Sequence, residues 1–340
     1  MRRSTVLLVV IFLVAVLAAG CWKAGDLQAL QKAMATTDEI TRGQLMTEFH
    51  YQMDFDELDL TPEERRELET YRELKGTVTE RFDREKGLSY VDGHLDIGGM
   101  GFDFKVYADA ERVILLLPTF TKFLVVYRDD LEQRLPEESP GGEAPDWAEQ
   151  LAELWNGLMR AENVRKTGTQ LVTTPEGDIK VTGYEVVLGD AEIRELARES
   201  VRAVLGDPVI REQIMTNWLV YIKNEDLQEQ DVDARVAEIL DKALEGIDQT
   251  RFQEFYYTGA VDRDAHLIRE TIRTRVATGT AGGSTVTADL NIKIQRWSIG
   301  RQVSIDLPEL TPENSFEFDE LEANMPKVFE NVFEGVEAVA

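Results

Sequence analysis

Two long segments of this chain alternate between apolar and polar residues. From Leu45 to Phe55 every second residue faces one way, and the segment from Thr285 to Trp297 repeats the pattern. A period of two places neighbouring side chains on opposite faces of a β-strand. Strands this long must pair over many residues and bury one face. The sequence therefore predicts a large sheet with one apolar face.

Further strand patterns surround these two segments. Short breaks such as Gly98-Gly99 separate several of them, and connections this short favour antiparallel neighbours. The predicted strands are residues 77–83, 88–97, 102–108, 113–117, 123–127, 165–172, 179–188, 252–261, 266–278 and 299–307.

Amphipathic helices are predicted between the groups of strands. Thr61 is a helix cap because Glu64 stands at the capping-box position, and Asp190 caps a second helix. The helical patterns cover residues 26–40, 61–74, 146–159, 190–206, 209–223 and 231–247. The predicted class is α+β, with a large curved antiparallel sheet or incomplete barrel of about a dozen strands covered by amphipathic helices.

The predicted chain has a leader, one exported domain and a tail. Residues 1–20 form a cleaved signal peptide. A proline- and glycine-rich segment between 135 and 145 divides the exported domain 21–340 into two sequential parts, 24–135 and 146–307, that complete one sheet. Residues 308–340 form an acidic tail whose apolar residues from Met325 onward have helical spacing. Docking of this tail on the domain is favoured over presentation to a partner.

The N-terminus carries an export and anchoring signal. Arg2 and Arg3 precede an apolar run over residues 6–17, which is short for a transmembrane helix. Ala18, Ala19 and Gly20 then precede Cys21, the chain's single cysteine. This pattern resembles the lipobox of bacterial lipoproteins and predicts cleavage between Gly20 and Cys21. The thiol of Cys21 then carries the lipid that holds the protein at the extracytoplasmic side of a cell membrane or outer membrane.

The charge of the chain argues against two classes of partner. The formal net charge is −27, with 64 acidic and 37 basic residues. Such a surface repels nucleic acid and anionic lipid headgroups at range, so neither is expected to bind through a basic face, and no nucleic acid is expected as a partner.

The order of elements over residues 24–307 resembles a known group of carriers. This order, the lipobox at Ala18–Cys21 and the strand-like sequence Gly168-Thr169-Gln170-Leu171 together resemble the LolA and LolB lipoprotein carriers and the LppX and LprG type mycobacterial lipid carriers. The resemblance implies an unclosed barrel that folds around helices and holds acyl chains in an apolar cavity.

Eight apolar strand residues are the candidate lining of such a cavity. If the helices pack loosely over a concave sheet lined by these residues, the space between sheet and helices accommodates the acyl chains of a ligand. The alternative is a solid core in which helices fill the space completely. The eight residues are Leu45, Phe49, Tyr51, Phe102, Phe104, Leu290, Ile292 and Ile294.

Catalytic and metal-binding patterns are weak. His94 and Asp96 share one side of a strand, and Asp262, Asp264 and His266 cluster near a turn. Such groupings are common by chance, and neither shows a complete set of strong metal ligands. The sequence contains no Gly-x-Ser-x-Gly elbow. We expect neither an enzyme nor a resident cofactor or metal. The acidic residues Asp54, Asp56 and Asp59 lack the glycine and terminal glutamate of a calcium loop, which favours a solvated turn.

Two functions remain as hypotheses. The first is an anchored lipoprotein that binds or carries a lipid or other amphiphile in an apolar cavity. The alternative is a non-enzymatic structural or protein-interaction lipoprotein of the cell envelope, with an envelope protein as its partner and an exposed apolar patch as its contact.

Overall fold

The fold was analysed in a computed structural model. It describes residues 25–117, 121–128, 146–207, 229–279 and 284–317. The predicted lipobox at Ala18–Cys21, the predicted helix over 209–223 and the tail beyond 317 lie outside these residues. Within the described residues, no helix is both long enough and apolar enough to cross a membrane.

A single sheet of twelve strands organises the described residues. Helices precede, interrupt and follow its strands. In chain order the elements are α1 (25–38), β1 (Arg42–Asp54), α2 (Pro62–Glu69), β2 (Glu73–Asp83), β3 (Leu88–Ile97), β4 (Met100–Ala108), β5 (Arg112–Leu116), β6 (Phe123–Tyr127), α3 (Asp146–Leu158), β7 (Val164–Thr174), β8 (Gly177–Val187), α4 (Asp190–Gly206), α5 (Glu229–Gln249), β9 (Thr250–Val261), β10 (Leu267–Gly279), β11 (Thr285–Trp297) and β12 (Ser315–Glu317).

The strand order joins the beginning and the end of the chain. It runs β12-β6-β5-β4-β3-β2-β1-β11-β10-β9-β8-β7. The pairings are antiparallel except for β12 beside β6, which is parallel. The α+β class with a large curved antiparallel sheet is thereby confirmed. Strands β1 and β11, which carry the two clearest alternating patterns, pair with each other from Gln44–Trp297 to Asp54–Thr287.

Local signals place the starts of two helices where they were predicted, but the helix predicted over 61–74 ends at Glu69 because strand β2 begins at Glu73. Helix α2 begins after Thr61, whose hydroxyl accepts from the Glu64 amide while the Glu64 carboxylate accepts from the Thr61 amide. This reciprocal arrangement satisfies two donors that the first turn leaves unpaired. Helix α4 begins at Asp190, whose carboxylate accepts from the backbone amide of Phe252 at 2.9 Å. Asp190 therefore ties the start of α4 to β9.

One predicted strand is wrong. The sequence predicts a strand over residues 299–307, but these residues form none, and the Gly300 amide donates to the Arg42 carbonyl at 2.9 Å. Ser298 and Gly300 have φ values of 53° and 71°, which turn the chain out of the sheet after β11. Both edges of β11 are already occupied by β1 and β10, so a further strand has no free edge to join there.

The main core lies between the helices and one end of the sheet. Leu30 and Ala33 of α1 are fully buried against Val186 and Tyr257. Trp155 of α3 contacts the Tyr257 ring at a centroid distance of 5.5 Å. Helices α1 and α3 thus cover the part of the sheet formed by β7 to β10.

Helix α1 is fixed at both of its ends. Near its start, the Asp26 carboxylate accepts from the backbone amide of Lys166 in β7 at 3.2 Å. Near its end, the Thr37 hydroxyl accepts from the Leu267 amide at 2.8 Å and donates to the Ala33 carbonyl at 2.6 Å. The helix therefore crosses from β7 to the beginning of β10.

Candidate functional site

The strand register places the eight candidate lining residues on one side of the sheet. Phe49 lies opposite Ile292 on one neighbour and Gly76 on the other. Gly76 lies opposite Leu95, which lies opposite Phe102. Residues directly opposite one another, and residues two apart on a strand, point to the same side. We call this side the apolar face; it carries Leu45, Phe49, Tyr51, Phe102, Phe104, Leu290, Ile292 and Ile294.

The same face continues into the helix-covered core. Ile292 lies opposite Ile272, and Ile272 lies opposite Tyr257. Tyr257 lies opposite Val186, which is completely buried. A single cross-strand row of apolar residues therefore runs from Phe102 in β4 to β8.

Burial divides the apolar face into two halves. On β8 and β9, Val186 is 0% and Tyr257 is 3% exposed. On β11 and β1 to β5, the eight candidate residues are all partly exposed, as are their neighbours Leu95, Val78, Val91 and Val106. We call this second part the open half. Because these apolar side chains keep contact with solvent, the open half is a surface on which further apolar groups gain free energy by packing.

Two glycines within strands shape the open half. A Cβ atom at Gly93 would lie 2.1 Å from the Phe104 ring, and one at Gly76 would lie 2.7 Å from the Phe49 ring. Each aromatic ring therefore rests directly on glycine backbone. These glycines were not singled out from the sequence, although a glycine inside a strand pattern is a signal of close approach.

A charged network lies at the border between the two halves. The Tyr257 hydroxyl donates to Glu270 at 2.7 Å, and Arg296 pairs with the same carboxylate. Burial, followed by the charge of Glu270, raises the pKa of the Asp38 carboxyl at the end of α1. Burial also raises the pKa of Glu80, which lies opposite Leu45. Polar groups are thus held directly beside the apolar surface.

An open cleft adjoins this network. Its volume is about 250 Å³, and its walls include Leu45, Phe82, Arg84 and Arg296. The Arg84 guanidinium lies over the Phe82 ring at 5.3 Å. The cleft therefore places arginine donors next to Leu45, one of the eight candidate lining residues.

The opposite side of the sheet, which we call the polar face, carries the two histidines of β1 and β3. His50 contacts Glu73 at 2.9 Å, and His94 contacts Asp103 at 2.7 Å. Asp96 accepts from the Gly99 amide at 2.9 Å. Its carboxylate thus caps the β3–β4 turn, and its other oxygen lies 3.7 Å from the Lys75 ammonium.

The second candidate cluster is a turn. One oxygen of Asp262 accepts from the backbone amides of Asp264 and His266 at 2.9 and 2.8 Å. Among the described residues, no group of three or more His, Cys, Asp or Glu side chains is arranged to hold a metal ion.

The acidic residues after β1 are engaged by arginines. Asp56 pairs with Arg72 at 2.7 Å and with Arg65 at 3.3 Å. A hydrogen bond from Arg72, followed by its charge, lowers the pKa of Asp56. The Asp54 carboxylate accepts from the Asp56 amide at 3.0 Å. These contacts describe an ion-paired turn.

Comparison with known proteins gives no functional assignment. No protein-family model matches the chain, and no curated protein matches it. A solved structure, described as an uncharacterized conserved protein from Thermus thermophilus, aligns with 84% of this chain and 98% of its own. Its sequence identity is 11% and its TM-score is 0.25, so the likeness carries no argument about fold or function.

Proposed function

We propose that this protein binds the acyl part of a lipid or other amphiphile on the open half of the apolar face, while lipid on Cys21 holds it at the extracytoplasmic side of a membrane. The observation that carries the proposal is the continuous apolar row from Tyr257 through Ile292 and Phe49 to Phe102. One end of the row is buried under helices and the other end is partly exposed.

The size of the surface suits an acyl chain. Four strand spacings separate β11 from β4, which is about 19 Å at about 4.8 Å each. Each methylene group removed from water contributes about 0.8 kcal/mol, so ten methylenes contribute about 8 kcal/mol before the cost of association. Only the surplus of this gross free energy over the cost of association appears as affinity, so binding is expected to be weaker than the micromolar dissociation constant that about 8 kcal/mol alone would give.

The border network supports the proposal because an amphiphile also has a polar end. Arg84 and Arg296 line the cleft beside Leu45. With an acyl chain on Phe49 and Ile294, a headgroup reaches the donors of these arginines and the acceptors of Asp38. Apolar side chains thus contact the acyl chain, and the charged side chains of the cleft contact the headgroup.

The position of α1 supports the anchoring part of the proposal. Asp26 contacts β7, which is the outermost strand of the sheet on that side. Four residues lie between Cys21 and Asp26, which limits the distance between these two residues to about 17 Å. A lipid on Cys21 thus holds the β7 edge near the membrane, whereas β1 to β4 lie further along the sheet.

Titration with palmitate tests the binding site. The Phe102→Gln variant removes an apolar side chain from the open half, and the Asp103→Gln variant changes the next residue, which points to the polar face. We expect Phe102→Gln to weaken palmitate binding about tenfold, because the lost apolar contact is worth about 1.5 kcal/mol. Asp103→Gln is expected to bind like the parent chain.

Binding by native mass spectrometry and folding by circular dichroism are measured on the same samples. Equal affinities for the two variants, with both folded, contradict the assignment of the open half as the binding surface. Absence of palmitate binding by the parent chain contradicts the proposed function itself.

The alternative is an interaction lipoprotein of the envelope, and a separate observation favours it. Tyr256 and Val187 lie opposite one another on the polar face and are 37% and 38% exposed. These two residues offer an apolar contact for another envelope protein, which co-purification from crosslinked cell envelopes tests.

A further inference from the structure

The polar face carries an open cleft over its central strands. The cleft has a volume of about 320 Å³, which lies within the range of about 300–1,000 Å³ that small-molecule sites occupy. His50 lies opposite Asn291, and Asn291 lies opposite Arg273. Residues opposite one another point to the same side, so these three side chains form one row in the cleft. We call this site, lined by His50, Gln52, Arg273 and Asn291 among others, the polar cleft.

Two side chains of this row have unmet hydrogen-bonding capacity. Within the described residues, the exposed Arg273 guanidinium makes no hydrogen bond or ion pair. The side-chain oxygen of Asn291 is buried and has no hydrogen-bond partner in the same part of the chain. Buried acceptors in folded proteins almost always have a partner. Arg273 thus has donors without an acceptor, and Asn291 has an acceptor without a donor.

A hydroxyl group is the chemistry that satisfies both side chains at once. Its oxygen accepts from Arg273 while its proton is donated to the Asn291 oxygen. An anion accepts from Arg273 but has no proton to donate to Asn291. An ammonium ion donates to Asn291 but is repelled by the neighbouring Arg273. The two unmet groups therefore favour a ligand with hydroxyl groups over a charged ligand.

The charges around the polar cleft cancel. Arg275 donates to both oxygens of the Asp289 carboxylate, at 2.7 and 3.0 Å, so this arginine is already engaged. The other charged side chains of the lining are Arg273 and Glu254, one of each sign. A neutral site contrasts with the formal net charge of −27 on the whole chain. The balance of charges suits a neutral polar ligand.

Tyr256 adds a flat apolar surface at the end of the row. It lies opposite Arg273 and is exposed on the polar face. The face of an aromatic ring carries partial negative charge and attracts groups that carry partial positive charge, such as C–H groups. A sugar ring has C–H groups on its face and hydroxyl groups at its edge. From His50 to Tyr256 the row crosses three strand spacings, about 14 Å at about 4.8 Å each.

We propose that the polar cleft binds a short neutral saccharide, with one hydroxyl group between Arg273 and Asn291 and a sugar ring on Tyr256. The inference goes beyond the proposed function, because the cleft lies on the face opposite to the open half. Saccharide and acyl chain occupy opposite sides of one sheet, so neither displaces the other. A bound saccharide covers Tyr256 and thereby excludes the alternative contact of this residue with an envelope protein.

Isothermal titration calorimetry with three neutral trisaccharides, chitotriose, cellotriose and maltotriose, tests the site. We expect saturable binding of at least one of them by the parent chain. Arg273→Gln and Asn291→Leu are each expected to weaken this binding about tenfold, which is the effect of one lost hydrogen bond to a charged or buried group. Arg263→Gln is the matched control, because Arg263 lies in the β9–β10 turn and its side chain is 91% exposed. This control is expected to bind like the parent chain.

Thermal unfolding of Asn291→Leu separates binding from folding. The substitution removes a buried acceptor that lacks a partner in the free protein. We therefore expect an unchanged or higher Tm together with weaker saccharide binding. A lower Tm overturns the interpretation of Asn291 as an unmet acceptor and with it the inference.

Three results of the titrations also overturn the inference. The first is the absence of binding for all three trisaccharides. The second is binding that Arg273→Gln and Asn291→Leu leave unchanged, because the sugar then binds elsewhere. The third is displacement of the sugar by sodium sulfate but not by sodium chloride at equal ionic strength, which identifies an anion site. Phe102→Gln, which weakens palmitate binding, is expected to bind the saccharide like the parent chain.

Discussion

Replacing Gly93 by alanine tests whether the Phe104 ring rests on the strand backbone. The new Cβ atom would lie 2.1 Å from the ring, whereas ordinary contacts begin at 3.4 Å. The ring must therefore move away by about 1.3 Å or change rotamer. Overpacking of this kind costs about 1–3 kcal/mol of unfolding free energy. For a sheet of this size the expected fall in Tm is about 3–9 °C.

Thermal unfolding monitored by circular dichroism measures the change. Gly157→Ala is the matched control, because Gly157 is exposed at the end of α3 and has nothing within 4 Å of an added Cβ. It is expected to leave Tm unchanged or to raise it slightly. The double variant Gly93→Ala with Phe104→Ala is expected to lose less than the sum of the two single losses, because the clash is gone. Full additivity, or a Gly93→Ala variant as stable as the parent chain, refutes this reasoning.

Two further predictions concern Asp83, the last residue of β2, and Cys21 near the N-terminus. Burial alone would raise the pKa of Asp83, but the hydrogen bond from Lys86 and the charge of Arg42 outweigh it and lower this pKa. The stabilisation from Asp83 is therefore complete above the ordinary carboxyl pKa of about 4 and is lost as the pH falls through the lowered value. Asp83→Asn should lower Tm at about pH 6 and reduce the fall in Tm between about pH 6 and pH 3; an unchanged pH dependence contradicts this account. Cys21→Ser should remove palmitate labelling in bacterial cells and shift the protein from the detergent phase to the aqueous phase of Triton X-114, and labelling that persists disproves acylation at Cys21.

The sheet was predictable from the sequence where one face of a strand is buried. The alternation from Leu45 onward and from Thr285 onward corresponds to β1 and β11. The capping box at Thr61 predicted the start of α2 because its hydrogen bonds are local. These signals depend on residues close in sequence, which a single chain reveals.

The strand order and the division of the apolar face were not predictable in this way. Phe49 and Ile292 are far apart in sequence, and their pairing depends on which strand edges remain free. For the same reason the strand predicted over 299–307 is wrong. Glu270 and Arg296 have no local pattern that marks them as a pair, because only the pairing of β10 with β11 brings them together. The assignment of Leu95 to the open half likewise required the register of β3.

The central claim is that the open half of the apolar face holds acyl chains. Native mass spectrometry, with lipid extraction, is the most direct test on the chain that starts at Trp22 and is purified without detergent from a bacterial host. The account predicts co-purifying acyl lipid in near-stoichiometric amounts, and a smaller amount with the Phe102→Gln variant. A lipid-free mass that stays unchanged after addition of fatty acids and phospholipids contradicts the claim and favours the envelope-interaction function.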